Sequence, residues 1–223
     1  MAKGTKVAAP KGKLAYVFIK GEGRNQALQG QEKKMMYVAS VIYKKDSPEH
    51  KELLDLTEKE WARYKEENPG AKKPKDYTNG IKPVMVDGDE LDEDGDPIKV
   101  ETDEVIATFK TNTMWPAKGN KPAQPQIVKV FNKSGKALTE AYQAADFSIG
   151  EGSEGVIHGM AQGNDGGGNH KVSLYLAGVQ LSKLVKYEGD TIETEEIDGE
   201  DIDFDDGVSA LETPTNAGET PNL

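Results

Sequence analysis

The sequence predicts a mostly β protein: a small closed barrel with one inserted helix and a disordered acidic C-terminal tail. Three observations predict it. Runs of β-branched and aromatic residues recur between glycine- and proline-rich turns. One segment, about residues 47–68, carries a helix start, an apolar side and a stop. From Glu188 to Leu223 there are 13 Asp and Glu and no Lys or Arg, a composition that cannot bury enough apolar surface to fold. The expected division is therefore 1–187 for the folded body and 188–223 for the tail.

The elements follow in order. Leu14, Tyr16 and Phe18 alternate with Ala15, Val17 and Ile19, and Lys33 to Tyr43 (KKMMYVASVIY) is a second run of β-formers. Between them, Gly21 to Gly30 is polar, contains Arg24 and reads as a loop. Ser47 before Pro48 is a helix start, because the hydroxyl accepts a backbone N–H and proline forfeits only a donor that has no partner. Leu53, Leu54, Leu56, Trp61 and Tyr64 give this helix its apolar side, and Asn68-Pro69-Gly70 ends it. Ile81 to Val86 and Glu104 to Thr111 are strands flanking an acidic hairpin connection, DGDELDEDGDP. After Trp115 comes a basic, proline-rich loop, PAKGNKPAQP, then a strand from Gln126 to Phe131 and a turn at Asn132 to Gly135. Phe147 to Met160 and His170 to Leu184 are the closing strands, joined by GNDGGG. Six or so strands with one helix suit a small barrel.

Composition narrows the function classes. Without cysteine there is no disulfide, thiolate metal site or thiol nucleophile. No apolar run approaches the ~20 residues that span a bilayer, and Met1 to Lys13 lacks a signal-peptide core, so a soluble cytoplasmic protein without membrane association is expected. A net charge of -11 argues at first against nucleic acid. Its distribution reverses that: the first 187 residues hold 26 acids against all 28 bases, so the body carries about +2.

Enzyme chemistry finds little support. The three histidines, His50, His158 and His170, have no HExxH spacing. Lys133-Ser134-Gly135-Lys136 lacks both the upstream glycine and the following hydroxyl of a phosphate loop, and GNDGGG lacks the strand-then-helix setting of a dinucleotide site. Asp92, Asp94, Gly95 and Glu101 fall near calcium-loop positions counted from Glu90, but Pro97 interrupts the loop and strands, not helices, flank it. No cofactor and no metal are expected.

Single-strand binding needs cations that track phosphates and flat rings on which any base can stack. The chain interleaves them. Lys33, Lys34 and Tyr37 lie on the second strand run; Phe109, Lys110 and Trp115 lead into Lys118 and Lys121; Lys171 accompanies Tyr175. With Arg24 these are the candidate DNA-binding residues. Rings in β-rich domains are usually core, and Trp115 is the exception, since it precedes Pro116 among lysines in a loop.

At these residues the chain resembles the single-stranded-DNA-binding proteins of tailed bacteriophages, including the replication proteins of short-tailed lytic phages. The resemblance runs from about Leu14 to Leu184 and takes in the tail. It rests on FKTNTMWPAKGNKPAQPQIV, on IGEGSEGVI, on VSLYLAGVQLSKLV before the acids, and on their order. It implies an OB-fold that binds single-stranded DNA without sequence preference during replication, recombination and repair, in the cytoplasm of an infected bacterium. A homodimer is implied too, as is a tail that meets the phage DNA polymerase and helicase/primase and covers the DNA groove when DNA is absent. The chain departs from the family at Glu154 and His158, where relatives often carry basic and aromatic residues, and in its tail end. The docking segment is Asp201, Asp203, Phe204, Asp205 and Asp206; relatives' tails often end in acids and an aromatic, whereas here DIDFDD is followed by GVSALETPTNAGETPNL, so Phe204 is the substitute candidate for that aromatic. The alternatives are a protein-interaction or assembly factor docking through its acidic runs, and a calcium module or metal-dependent enzyme at Asp92, Asp94 and Glu101.

Overall fold

A computed structural model describes residues 4–27, 31–78, 80–119, 122–166 and 169–187. The chain divides into two units, Met1–Gly189 and Asp190–Leu223; the segment 188–223, including Asp201, Asp203, Phe204, Asp205 and Asp206, lies outside the described residues, as does Lys121. In chain order the elements are β1 (Thr5–Ala8), β2 (Gly12–Phe18), β3 (Arg24–Asn25), β4 (Met35–Lys44), α1 (Pro48–Glu67), β5 (Ile81–Leu91), β6 (Pro97–Asn112), β7 (Met114–Trp115), β8 (Gln124–Pro125), β9 (Lys129–Phe131), α2 (Thr139–Ala144), β10 (Ser148–Ile149), β11 (Glu154–Asp165), β12 (His170–Lys183) and β13 (Lys186–Tyr187).

Five of the strands close on themselves. β2 pairs antiparallel with β4, and β4 with β6. β6 meets β12 in parallel, β12 pairs antiparallel with β11, and β11 returns antiparallel to β2. The result is an OB-fold-like barrel, with β1 added to β11 and β9 to β12. Alternation fills it: Leu14, Ala39, Val41, Ala107, Phe109, Ile157, Val172 and Leu176 are all inside.

α1 spans the expected segment. The Ser47 hydroxyl accepts the His50 N–H at 3.2 Å, with Pro48 at the first position. Its buried residues, Leu53, Thr57, Glu60, Trp61 and Tyr64, recur at helical spacing and face the barrel. Glu60 is a fully buried carboxylate. It accepts hydrogen bonds from the Thr5 amide (3.2 Å) and hydroxyl (2.7 Å) on β1, from the Gly163 amide on β11 (2.8 Å), and from the Arg63 guanidinium at 2.9 and 2.7 Å. A Cβ on Gly163 would lie 2.3 Å from the Tyr64 ring, so only glycine lets the helix come this close.

Several details depart from the sequence expectation. The strand expected from Gln126 to Phe131 is confined to Lys129–Phe131. The acidic connection is shorter: β5 and β6 run through most of it as a hairpin arm, leaving the turn Asp92–Asp96. Phe147 to Met160 is not one strand, because Gly152, at φ +85°, turns the chain between β10 and β11. A second helix, α2, was not foreseen; its Tyr142 is buried in the core.

Burial alone would raise the Glu60 pKa, but the Arg63, Gly163 and Thr5 hydrogen bonds outweigh it and hold the carboxyl below its ordinary value. Removing one partner of a buried pair costs about 3–5 kcal/mol. Glu60→Ala is therefore expected to lose about that much stability in urea unfolding. A depressed pKa stabilises above the unfolded value, so the gap between wild type and Glu60→Gln is expected to be full near neutrality and to shrink as pH falls through the folded pKa.

Candidate nucleic-acid interface

Residues paired directly across neighbouring strands share a face of the sheet. Phe18 lies opposite Val38, Val38 opposite Lys110, and Lys110 opposite Tyr175. These four share one face of the sheet across β2, β4, β6 and β12, with Phe18 and Tyr175 exposed at its ends and Val38 buried between Phe18 and Lys110. The residues one step along, Ala39 and Phe109, pair with each other and point inward.

Next to Lys110 the outer surface opens into a cavity of about 420 Å³. Its cations are Lys34, Lys82 and Lys110; its apolar walls are Met36, Ile106, Leu174 and Tyr175; Thr108, Ser173 and Gln26 supply hydroxyls and an amide. Among the described residues no carboxylate lines it. The Lys110 ammonium donates to Gln26 Oε1 at 2.5 Å. Burial first, then the charges of Lys82, Arg24 and Lys34, pull the Lys110 pKa below its ordinary value. Three lysines line the cavity and Arg24 acts on one of them, with no carboxylate among the described lining residues, a charge arrangement that attracts an anion.

The structure brings together part of the sequence-predicted set. Lys34, Lys110 and Tyr175 line the cavity, and Arg24 on β3 is close enough to repel Lys110. Arg24 also lies over the Phe18 ring, 5.1 Å from its centroid. Lys33 is exposed just before β4. Trp115 is 58% exposed on β7, which pairs with β8, and Lys118 is exposed beyond it; neither lines the cavity. Lys171 is half-buried at the start of β12 and also lies off the cavity.

Two rings must be corrected. Phe109 is fully buried and Tyr37 belongs to the core, its hydroxyl donating to the Gly21 carbonyl at 3.1 Å. Neither presents a face to a base, because strand alternation turns them inward while Lys110 turns out. Sequence reasoning missed Lys82, Met36 and the outward turn of Phe18. The signal for Lys82 was its polarity within an apolar strand run, but only the pairing of Lys82 with Ile106 places it on this wall.

The acidic turn is occupied by its own backbone: Asp92 Oδ1 accepts the amides of Asp94 (3.0 Å) and Asp96 (2.9 Å). Glu101 sits on the arm 3.9 Å from Lys45 Nζ. Among the described residues no group of three His, Asp or Glu converges to hold a metal. The histidines are tied to neighbours: the Asp46 amide donates to His50, and His158 and His170 pair with Gln180 and Tyr64.

If Lys82 contributes to the field on Lys110, Lys82→Ala raises the Lys110 pKa. The titration of the Lys110 side chain by NMR checks this, and an unmoved value would show that Lys82 does not contribute, leaving burial, Arg24 and Lys34.

No protein-family model and no curated protein matches the chain in sequence. Solved structures do match in fold. Gp2.5, a single-stranded DNA binding protein encoded by bacteriophage T7, aligns over 87% of this chain and 100% of its own, at 17% identity and a TM-score of 0.52. The single-stranded DNA-binding protein from bacteriophage Enc34, in complex with ssDNA, aligns over 82% of this chain and 89% of its own, at 14% identity and a TM-score of 0.52. The chain has the fold of these two phage single-stranded-DNA-binding proteins.

Proposed function

We propose that the chain binds single-stranded DNA without sequence preference, as a non-catalytic protein of phage DNA replication and recombination. The observation that carries this reading is the carboxylate-free cavity holding Lys34, Lys82 and Lys110 beside the exposed ring of Tyr175. Cations meet phosphates, and a ring takes a base of any sequence at ~1–3 kcal/mol per stack. The shared fold supports it, since both neighbours bear the name of single-stranded-DNA binders and one was solved with ssDNA. The reading also assigns Trp115, Lys118, Lys33 and Lys171 to DNA contact, outside the cavity.

The acidic segment from Glu188 onward completes the proposal. Its 13 carboxylates compete with phosphates for the same cations, and the stretch Asp201 to Asp206 with Phe204 docks the phage polymerase and helicase/primase. Homodimer formation belongs to this reading as well. A second reading, a protein-docking factor, is favoured by the hairpin arm, whose Val86, Ile98 and Val100 are exposed without a covering layer among the described residues.

Fluorescent oligothymidine titrated at several salt concentrations tests the leading reading. The slope of log affinity against log salt is expected near -0.7 per phosphate neutralised, and the triple variant Lys34→Ala, Lys82→Ala, Lys110→Ala is expected to flatten it by about 2. Equal or tighter binding to duplex overturns the reading, and no binding of any oligonucleotide favours the docking factor. Truncation after Tyr187 is expected to tighten DNA binding; unchanged or weaker affinity removes the masking role.

A further inference from the structure

β2 contains a distortion that the cavity does not explain. Ala15 lies opposite Ser40 and Phe18 opposite Val38, so three steps on β2 match two on β4. One extra residue is bulged out, and Tyr16 occupies it at φ +50°. This is the left-handed region, which bulges normally give to glycine and which strains a residue carrying a Cβ. Among the described residues only Asp46 is a second non-glycine with positive φ, and Asp46 sits in the turn before α1.

The bulge has a consequence for side-chain direction. In unbroken register Tyr16 would lie opposite Ala39 and Phe18 opposite Tyr37, both of which face the core. The extra residue reverses this: Tyr16 is 60% exposed and Phe18 41% exposed, while Val17 turns inward. The core therefore gives up two large rings to the surface, at a residue strained to do so. The Arg24 guanidinium backs the Phe18 ring, leaving a cation beside it. Phe18 lies in the same row as Lys110, two strand spacings or about 10 Å away, so its ring sits on the line that leads out of the cavity across β4, with Tyr16 in the bulge two residues before it.

We propose that Tyr16 and Phe18, with Arg24, form a second base-stacking subsite, distinct from the cavity, which takes one nucleobase on the rings and its phosphate on Arg24. This rests on the reading of the chain as a single-stranded-DNA binder and adds a direction to it: the strand crosses the barrel from β12 over β6 and β4 to β2. The strained tyrosine is then retained for binding at the expense of stability.

That trade-off is measurable on the full chain. Tyr16→Gly relieves the backbone and removes the ring, so it is expected to raise Tm by about 2–4 °C and to weaken oligothymidine binding roughly 5- to 150-fold. Tyr16→Asn, which tolerates the left-handed region, is expected to weaken binding similarly, and Tyr16→Phe, which keeps both ring and strain, to change neither quantity. Wild-type affinity in Tyr16→Gly overturns the subsite, as does a lowered Tm, which would make the ring structural. Failure of the wild-type chain to bind oligothymidine sinks the parent reading instead. Binding by wild type with no loss in either Tyr16→Gly or Tyr16→Asn sinks the subsite alone.

Discussion

The position of the cavity depends on the seam where β6 meets β12. These strands are parallel and touch at a single directly paired position, Lys110 opposite Tyr175. Past it they separate, and the segment before β5 wedges between them: the Val172 amide donates to the Tyr77 carbonyl at 2.7 Å, and the Thr108 amide to the Gly80 carbonyl at 2.7 Å. Thr78 makes the matching bridge to Val172. Each strand therefore keeps its backbone groups satisfied while the side chains above the split are held apart. The opening is a consequence of barrel closure through a wedge, so its walls come from β5, β6 and β12 together.

The same framework handles two charged clusters in opposite ways. Glu60 is taken out of water entirely, and five donors from α1, β1 and β11 make that tolerable, which fixes the helix to the barrel. Lys110 is partly buried with one neutral partner, Gln26, and three cationic neighbours. The first cluster is complete without a ligand. The second gains from any anion that arrives, because an anion relieves repulsion between lysines as well as pairing with each of them.

Much of this was legible from local signals. The cap at Ser47 and the stop at Asn68 bound α1, and runs of β-forming residues located β2, β4, β6 and β12. Trp115 followed from its proline neighbour, and its ring is exposed. What was not legible depends on pairing. Lys110 and Phe109 are adjacent in sequence and equally plausible as contacts, yet the register of β6 against β4 sends one out and the other into the core. Lys82 joins the cavity only because β5 folds back on β6. The bulge at Tyr16 reverses an alternation that the sequence alone shows as regular, and α2 is too short to produce a helical period.

The remaining puzzle is how a chain with a net charge of -11 keeps a positive cavity. Part of the answer is inside the body and needs no tail. Seven acids between Asp87 and Asp96 lie on the far part of the β5–β6 arm, whereas Lys110 lies near the opposite end of β6. At ~3.4 Å per residue the path along β6 from Pro97 to Lys110 is about 40 Å. Exposed charges in physiological salt are screened beyond ~8 Å, so the acids at the turn scarcely affect the field at the lysines. A long hairpin thus lets one chain carry strong charge of both signs without cancellation, and the local field, not the total, governs what the cavity attracts.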